Sequence, residues 1–93
     1  MNLKQLKYFL MVAESGGFSQ ASDAAHLAQS ALSRHVRLLE DELRTRLFDR
    51  TGRGVVLTEQ GEYLLEQTRT ILDQVVQIER TLQSWYEHPS GRV

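Results

Sequence analysis

Residues 29–43 carry two different side-chain stripes when they are wound at helical spacing, and this stretch restricts the fold more than any other. The apolar stripe has the spacing of a helix face buried against a small core. It consists of Leu32, Val36, Leu39 and Leu43. The other stripe is polar and basic, and consists of Gln29, Ser30, Ser33, Arg34 and Arg37. Such side chains donate hydrogen bonds to base edges and phosphates, so the stretch predicts either a helix for a DNA major groove or an ordinary solvated helix.

Length and composition exclude several classes of protein. A chain of 93 residues forms one small domain, or one domain with an appendage, and leaves little room for an active-site cleft. The sequence has no cysteine, which excludes disulfides and thiolate metal sites and fits a reducing compartment. Its first residues do not resemble a signal peptide, and no apolar run approaches the ~20 residues of a membrane span. We therefore expect a soluble, cytoplasmic protein without a membrane partner.

The formal net charge of -1 conceals an uneven distribution. Residues 1–58 hold eight basic and six acidic side chains, whereas residues 59–93 hold three basic and six acidic ones. Most of the basic excess lies between Arg34 and Arg53. Because the local distribution decides whether a protein attracts phosphates, the net charge does not exclude a nucleic-acid partner.

The chain begins with the pattern of an amphipathic helix. Asn2 and Gln5 have the spacing of a capping box, in which each side chain accepts a hydrogen bond from the other residue's backbone N–H. Gly16 and Gly17 are suited to ending the helix, because glycine adopts the left-handed conformation easily. Beside Phe9, the predicted apolar face comprises Leu3, Leu6, Leu10 and Ala13.

A second, short helix is predicted between the first helix and residues 29–43. Ser19 is expected to cap it, and it runs through His26 before the tight link Leu27-Ala28. A short helix, a tight link and a longer helix with an outward polar stripe indicate a helix-turn-helix at about 18–37. An ordinary helical corner would have the same pattern.

The periodicity changes after residue 43. Residues 47–50 and 55–57 are β-prone runs, and the intervening residues 51–54 include two glycines, which predicts a hairpin at about 46–57. Next to a helix-turn-helix, such a hairpin is a wing whose Arg53 can enter a narrow minor groove. The alternative is a surface turn with a solvated arginine.

Thr58 is predicted to cap a last, long helix that runs to about His88, before Pro89 breaks it. Apolar residues recur along it at the alternating steps of a coiled-coil seam. This seam consists of Leu64, Thr68, Ile71, Val75, Ile78, Leu82 and Trp85. A helix of ~30 residues extends ~45 Å and outruns so small a core. We therefore expect a homodimer through this helix rather than a helix folded wholly onto its own domain.

The sequence carries none of the motifs expected of an enzyme. The three histidines lack the HExxH spacing, and neither a P-loop nor a GxSxG elbow is present. We therefore expect neither catalysis nor a metal site.

Four motifs of the chain together are similar to those of LysR-type bacterial transcriptional regulators, in their amino-terminal DNA-binding part. The resemblance covers the chain from about Leu3 to the end of the long helix. The motifs are Ala31-Leu32-Ser33, Leu39-Glu40, Leu47-Phe48-x-Arg50 and Leu57-Thr58-x-x-Gly61.

The resemblance implies a mainly α winged helix-turn-helix, with three helices and a two-stranded wing, followed by a linker helix that forms dimers. It also implies sequence-specific binding of double-stranded promoter DNA by a dimer on an interrupted inverted repeat. Expected contacts to bases come from Gln29, Ser30, Ser33 and Arg34 in the major groove and from Arg53 in the minor groove. Expected contacts to phosphates come from Ser19, Arg37, Arg50 and Thr51.

Three positions depart from the family's usual residues. Ala28 stands where the family usually has serine, so the long polar-striped helix lacks its expected N-cap. Ser30 replaces a frequent proline, and Arg44 replaces the usual glycine at the end of the helix.

The implied organisation has three parts. Residues 1–58 form the DNA-binding domain, 59–88 the linker helix and 89–93 the start of a hinge to an absent effector-binding domain. We expect no cofactor in this part, and a small-molecule effector and possible tetramers for the full-length regulator. The competing hypothesis is a dimeric protein-interaction module that does not bind DNA.

Overall fold

The computed structural model describes residues 1–87. Its elements are, in order, α1 Leu3–Ser15, α2 Phe18–Ala25, α3 Gln29–Leu43, β1 Phe48–Thr51, β2 Gly54–Leu57 and α4 Glu59–Glu87. Three helices and a two-stranded hairpin precede one long helix, which confirms the predicted mainly α winged helix-turn-helix. His88 and the predicted hinge at 89–93 lie outside the described residues.

One apolar core joins the first three helices to the base of the hairpin. It consists of Phe9, Val12, Phe18, Ala21, Leu32, Val36, Leu39, Leu47 and Phe48. The ring centroids of Phe9 and Phe18 lie 5.3 and 6.0 Å from that of Phe48. Burial of each such large apolar side chain contributes about 1.5–3 kcal/mol. The core therefore fixes the position of α3 against α1 and the hairpin.

The capping box at the start of α1 is confirmed. The backbone N–H of Gln5 donates to Asn2 Oδ1 at 2.8 Å, and the backbone N–H of Asn2 donates to Gln5 Oε1 at 3.1 Å. Gly16 ends the helix as predicted, with a left-handed φ of 83°.

The buried face of α1 differs from the predicted one. Its buried residues are Gln5, Leu6, Phe9 and Val12. Leu3 is 43% exposed, and Leu10 and Ala13 are only half-buried. The face is rotated because Phe9, the largest purely apolar side chain of the helix, packs against Phe48 at the centre of the core.

The start of α2 also differs from the prediction. Its N-cap is Gly17, whereas Ser19 lies exposed inside the helix and makes no cap. The prediction was wrong because Phe18, only 6% exposed, enters the core as the first helical residue and moves the cap one position before it. At the other end, His26 is a left-handed C-cap rather than the last helical residue.

Three of the four apolar residues predicted for the buried face of α3 are buried. Leu32, Val36 and Leu39 are at most 1% exposed, but Leu43 is 36% exposed. Leu43 is the last residue of the helix, and Arg44 after it takes the left-handed conformation, with φ of 52°. The helix therefore ends before Leu43 is covered by the core.

The wing is a regular antiparallel ladder that runs from the pair Phe48↔Leu57 to the pair Thr51↔Gly54. Thr51 and Gly54, predicted in the turn, instead form its closing pair, so the turn contains only Gly52 and Arg53. The Thr51 hydroxyl adds a side-chain hydrogen bond to this closing pair, because Oγ1 donates to the Gly54 carbonyl at 3.2 Å.

Thr58 begins α4 as predicted. Its Oγ1 accepts the backbone N–H of Gly61 at 3.0 Å and donates to the carbonyl of Arg46 at 2.6 Å. Gly61 is required by packing, since a Cβ at this position would lie 2.1 Å from the carbonyl oxygen of Leu47. The first turn of α4 is thereby held against the start of the wing.

Only the first half of α4 packs on the domain. Leu64 and Leu65 contact the core, whereas Ile78, Leu82 and Trp85 are 49%, 54% and 46% exposed. The described chain is accordingly elongated, with extents of 56 × 26 × 19 Å. Within residues 1–87, no helix has the length and apolar character to cross a membrane.

Candidate nucleic-acid interface

The outer face of α3 carries the polar stripe found in the sequence. Gln29, Ser30, Arg34 and Arg37 are exposed and Ser33 is half-buried, while the opposite face of the helix lies in the core. An anchored helix with free polar and basic side chains is able to enter a major groove and donate hydrogen bonds there.

The first turn of α3 has no side-chain cap. Ala28 is the N-cap residue, in an extended conformation with φ of -66° and ψ of 136°, and no described side chain accepts a hydrogen bond from this turn. The helix dipole and the free N–H groups of the first turn therefore favour an anion at this end.

One shallow cavity brings together four of the predicted contact residues. It has a volume of 340 Å³ and lies between the start of α2, the start of α3 and the wing. Ser19, Gln29, Arg50 and Thr51 all line it. Residues that are up to 32 positions apart in the sequence thus line one open space on the surface.

A second, open groove lies between the later part of α3 and the base of the wing. It has a volume of 480 Å³, and Ser33, Arg37 and Arg50 line it together with Arg44 and Arg46. The sequence prediction did not include Arg44 and Arg46, although both lie in the segment that holds most of the basic excess. Arg50 lines both cavities, so it joins the two parts of the surface.

Arg50 is held in place by an aromatic ring. The guanidinium carbon of Arg50 lies 4.8 Å from the ring centroid of Phe18, which is within the range of a cation–π interaction. Because Phe18 belongs to the core, this contact fixes a surface charge to a rigid part of the domain.

The wing tip is shaped by Thr51. Its Oγ1 accepts the backbone N–H of Arg53 at 3.2 Å, in addition to donating to Gly54. The hydroxyl predicted to contact a phosphate thus has a structural role in the turn. The Arg53 side chain is exposed, and Arg53, Ser30 and Arg34 line neither cavity.

The predicted seam of α4 is only partly available to a partner chain. Thr68 is fully buried by its own domain and is not accessible to a partner chain, so its predicted place in the dimer interface is wrong. Leu64, Ile71 and Val75 are half-buried. The seam is most exposed beyond these residues, where α4 has left the domain.

The titratable groups of residues 1–87 do not form a metal site. No three His, Asp or Glu side chains in this part of the chain come together as a set of ligands.

Comparison with known proteins assigns the family. The model of the bacterial regulatory helix-turn-helix proteins of the lysR family matches residues 3–62. The chain belongs to the LysR family. Its members are transcriptional regulators rather than enzymes, which confirms the exclusion of catalysis.

LysR regulators with similar sequences are longer than this chain. The HTH-type transcriptional regulator TfdT of Cupriavidus pinatubonensis is 40% identical over 93 residues, which are 100% of this chain and 41% of TfdT. The chain thus spans less than half the length of that LysR relative.

Two solved structures of LysR DNA-binding domains have the same fold. The BenM domain in complex with catB site 1 DNA has a TM-score of 0.89 and 32% identity, and all of both chains is covered. The CbnR domain in complex with DNA has a TM-score of 0.86 and 34% identity over 90% of this chain and 97% of that one. The present chain is a DNA-binding domain of a LysR-type transcriptional regulator.

Proposed function

We propose that this domain binds double-stranded promoter DNA sequence-specifically, with α3 in the major groove and the wing in the minor groove. The observation that carries the proposal is the outward polar stripe of α3, which the core anchors on the opposite face of the same helix. The similarity to the BenM and CbnR domains, both crystallised with DNA, supports it.

Base reading is assigned to the exposed side chains near the start of α3 and at the wing tip. Gln29 is suited to bidentate pairing with adenine and Arg34 to bidentate pairing with guanine. Ser30 and Ser33 lie on the same face, and their short side chains contact base edges that lie close to the helix. Arg53 enters the minor groove, where a narrow groove concentrates negative potential.

Phosphate contacts set the register of the domain on the duplex. Ser19 and Arg50 face the first cavity, and Arg37 faces the second. Thr51 also faces the first cavity, and its hydroxyl contacts a phosphate only after it releases the carbonyl of Gly54, because its one proton is donated there. These contacts carry little sequence information, because every base pair presents the same backbone.

A homodimer provides the second half of the operator contact. The proposed interface consists of Leu64, Ile71, Val75, Ile78, Leu82 and Trp85. Two paired domains predict an interrupted inverted repeat as the operator. For a full-length regulator, we further propose that a small-molecule effector binds and that dimers associate into tetramers.

A salt titration of duplex binding tests the proposal. Fluorescence anisotropy with a duplex that contains the operator should give a dissociation constant that rises steeply with salt, because phosphate contacts release counterions. A scrambled duplex should bind more weakly at every salt concentration. A dimeric protein that binds neither duplex at moderate salt would instead support the protein-interaction module and overturn the proposal.

A further inference from the structure

The open groove between α3 and the base of the wing holds two arginines, Arg44 and Arg46, that the proposed function does not use. Arg37 and Arg50, the proposed phosphate contacts, line the same groove together with Ser33. The four guanidinium groups come from the later part of α3, the turn after it and the wing. They form a basic track that continues beyond the predicted phosphate contacts.

Arg44 occupies a backbone position at which glycine is usual. It is the C-cap of α3 and has φ of 52°, and its backbone N–H donates to the carbonyl of Asp41 at 3.2 Å. A side chain with a Cβ is disfavoured in this left-handed conformation. The Arg44 side chain is exposed at this helix end and lines the groove.

Arg46 is free to exchange its present partner for a phosphate. Its Nε lies 3.8 Å from Oδ1 of Asp49, and the two side chains are 74% and 61% exposed. An ion pair so open to water contributes little, so a phosphate can replace the carboxylate at small cost.

The carboxylates in the groove do not cancel its positive charge. Glu40 and Asp41 also line it, against four arginines. Oε2 of Glu40 already accepts the backbone N–H groups of Leu47 and Phe48 at 2.7 and 3.3 Å. The groove therefore keeps an excess of guanidinium groups for an anion.

We propose that Arg44 and Arg46 bind phosphodiester groups of DNA that flanks the half-site, outside the base pairs that α3 reads. This inference rests on the proposed function, which places a backbone at Arg37 and Arg50. A strand held at those two residues continues along the track, so its next phosphates meet the outer arginines. The outer contacts add affinity for flanking DNA of any sequence, since they touch only the backbone.

Duplexes of two lengths test the inference. One contains only the operator, and the other extends it by ten base pairs of arbitrary sequence on each side. The wild-type chain should bind the longer duplex more tightly, and the double variant Arg44→Gln/Arg46→Gln should lose this gain. Its salt slope on the longer duplex should fall by about 1.8 for each subunit, because each phosphate contact contributes about 0.9. Arg80→Gln, a change at an exposed arginine of α4, is the matched control and should keep the gain.

The outcomes separate this inference from the proposed function. If the wild-type chain binds neither duplex, both are overturned. If the double variant gains as much affinity from the flanking DNA as the wild-type chain does, only the flanking contacts are overturned. A free-anion site is distinguished by titrating inorganic phosphate without DNA. In this titration the NMR chemical shifts of the amides of residues 44–46 are followed. If these shifts reach a plateau with inorganic phosphate, and the double variant still keeps the affinity gain from flanking DNA, the inference is likewise overturned.

Arg44→Gly separates the contribution of the side chain from its effect on folding. Glycine suits the left-handed backbone, so the variant should melt at a temperature no lower than wild type. It should nevertheless lose about half of the affinity gain on the longer duplex, counted on the free-energy scale. Unchanged binding of the longer duplex by Arg44→Gly would remove Arg44 from the track and overturn the inference.

Discussion

The carboxylate of Glu40 on α3 accepts the backbone N–H of Leu47, and the distance between Glu40 Oε2 and the Leu47 nitrogen is 2.7 Å. The same oxygen accepts the N–H of Phe48 at 3.3 Å. Because Leu47 and Phe48 are core residues at the start of the wing, this one side chain connects the helix proposed to read bases to the hairpin proposed to enter the minor groove.

Glu40→Ala should therefore destabilise the domain. The substitution leaves two backbone N–H groups at the edge of the core without their acceptor, which costs about 1–3 kcal/mol of unfolding free energy. Urea unfolding followed by circular dichroism measures the change. Asp41→Ala, at an exposed neighbouring carboxylate, is the control and should stay within about 0.5 kcal/mol of wild type. Equal midpoints for the two variants would contradict the connecting role of Glu40.

Gly61→Ala should disrupt the contact between α4 and the start of the wing. The added Cβ would lie 2.1 Å from the carbonyl oxygen of Leu47 and 2.9 Å from Cδ2 of Leu57, so the backbone has to shift. We expect a loss of about 1–3 kcal/mol in unfolding free energy, as for other overpacked sites. Gly52→Ala is the matched control, because a Cβ there meets nothing within 4 Å. Similar melting temperatures for both variants would refute the packing requirement.

Local features of the fold were readable from the sequence. The capping box of Asn2 and Gln5 and the cap at Thr58 depend on residues three positions apart, so the spacing alone was sufficient. The hairpin was also readable, because its two β-prone runs are close in sequence and are separated by residues that include two glycines. Only the assignment of Thr51 and Gly54 to the turn was wrong, since they belong to the ladder.

Features that depend on distant contacts were not readable. Ser19 has the chemistry of a cap, but burial of Phe18 decides where α2 begins. Thr68 fits the spacing of a seam, but the spacing does not reveal that its own domain covers it. Arg44 and Arg46 were missed as members of the basic surface, because only the left-handed turn after α3 brings them into one groove with Arg37 and Arg50.

Arg34 and Arg37 should have different effects on DNA binding when each is replaced by alanine. Arg34→Ala removes a proposed base contact, so the preference for operator over scrambled duplex should fall by about 1–3 kcal/mol. Arg37→Ala removes a proposed phosphate contact, so both duplexes should bind more weakly and the salt slope should fall by about 0.9 for each subunit. Anisotropy titrations with both duplexes measure these quantities, with Arg80→Ala as the control. An unchanged preference in Arg34→Ala would exclude that residue from base reading.

Leu82→Asp should weaken the proposed homodimer. Leu82 is 54% exposed in the single chain, and an aspartate in an apolar helix interface would be a buried charge without a partner. Leu82 is already about half covered in the single chain, so loss of the leucine alone removes about half of the ~1.5–3 kcal/mol of full burial in each copy, or about 1.5–3 kcal/mol for the two copies together. The dimer dissociation constant, measured by analytical ultracentrifugation, should therefore rise by at least about tenfold. Ser84→Asp introduces the same charge at an exposed position outside the seam, and should leave the dimer intact. Equal dissociation constants for the two variants would count against the seam.

Ala28→Ser should order the first turn of α3. The backbone at residue 28 is already extended, with φ of -66° and ψ of 136°, so a serine there has the conformation of an N-cap. Its hydroxyl would accept an N–H of the first turn and add about 0.5–2 kcal/mol of stability. Ala24→Ser, at an exposed position inside α2, offers no free N–H groups and should give no such gain.

Hydrogen exchange of the first-turn amides measures the same property directly. In the wild-type domain these amides should exchange faster without DNA than with it, because a phosphate at the uncapped helix end satisfies them. In Ala28→Ser the free domain should already be protected, so DNA should add less protection. Equal protection of these amides in the free and the DNA-bound wild-type domain would contradict this prediction. It would mean that the first turn of α3 is fully ordered without a cap at Ala28.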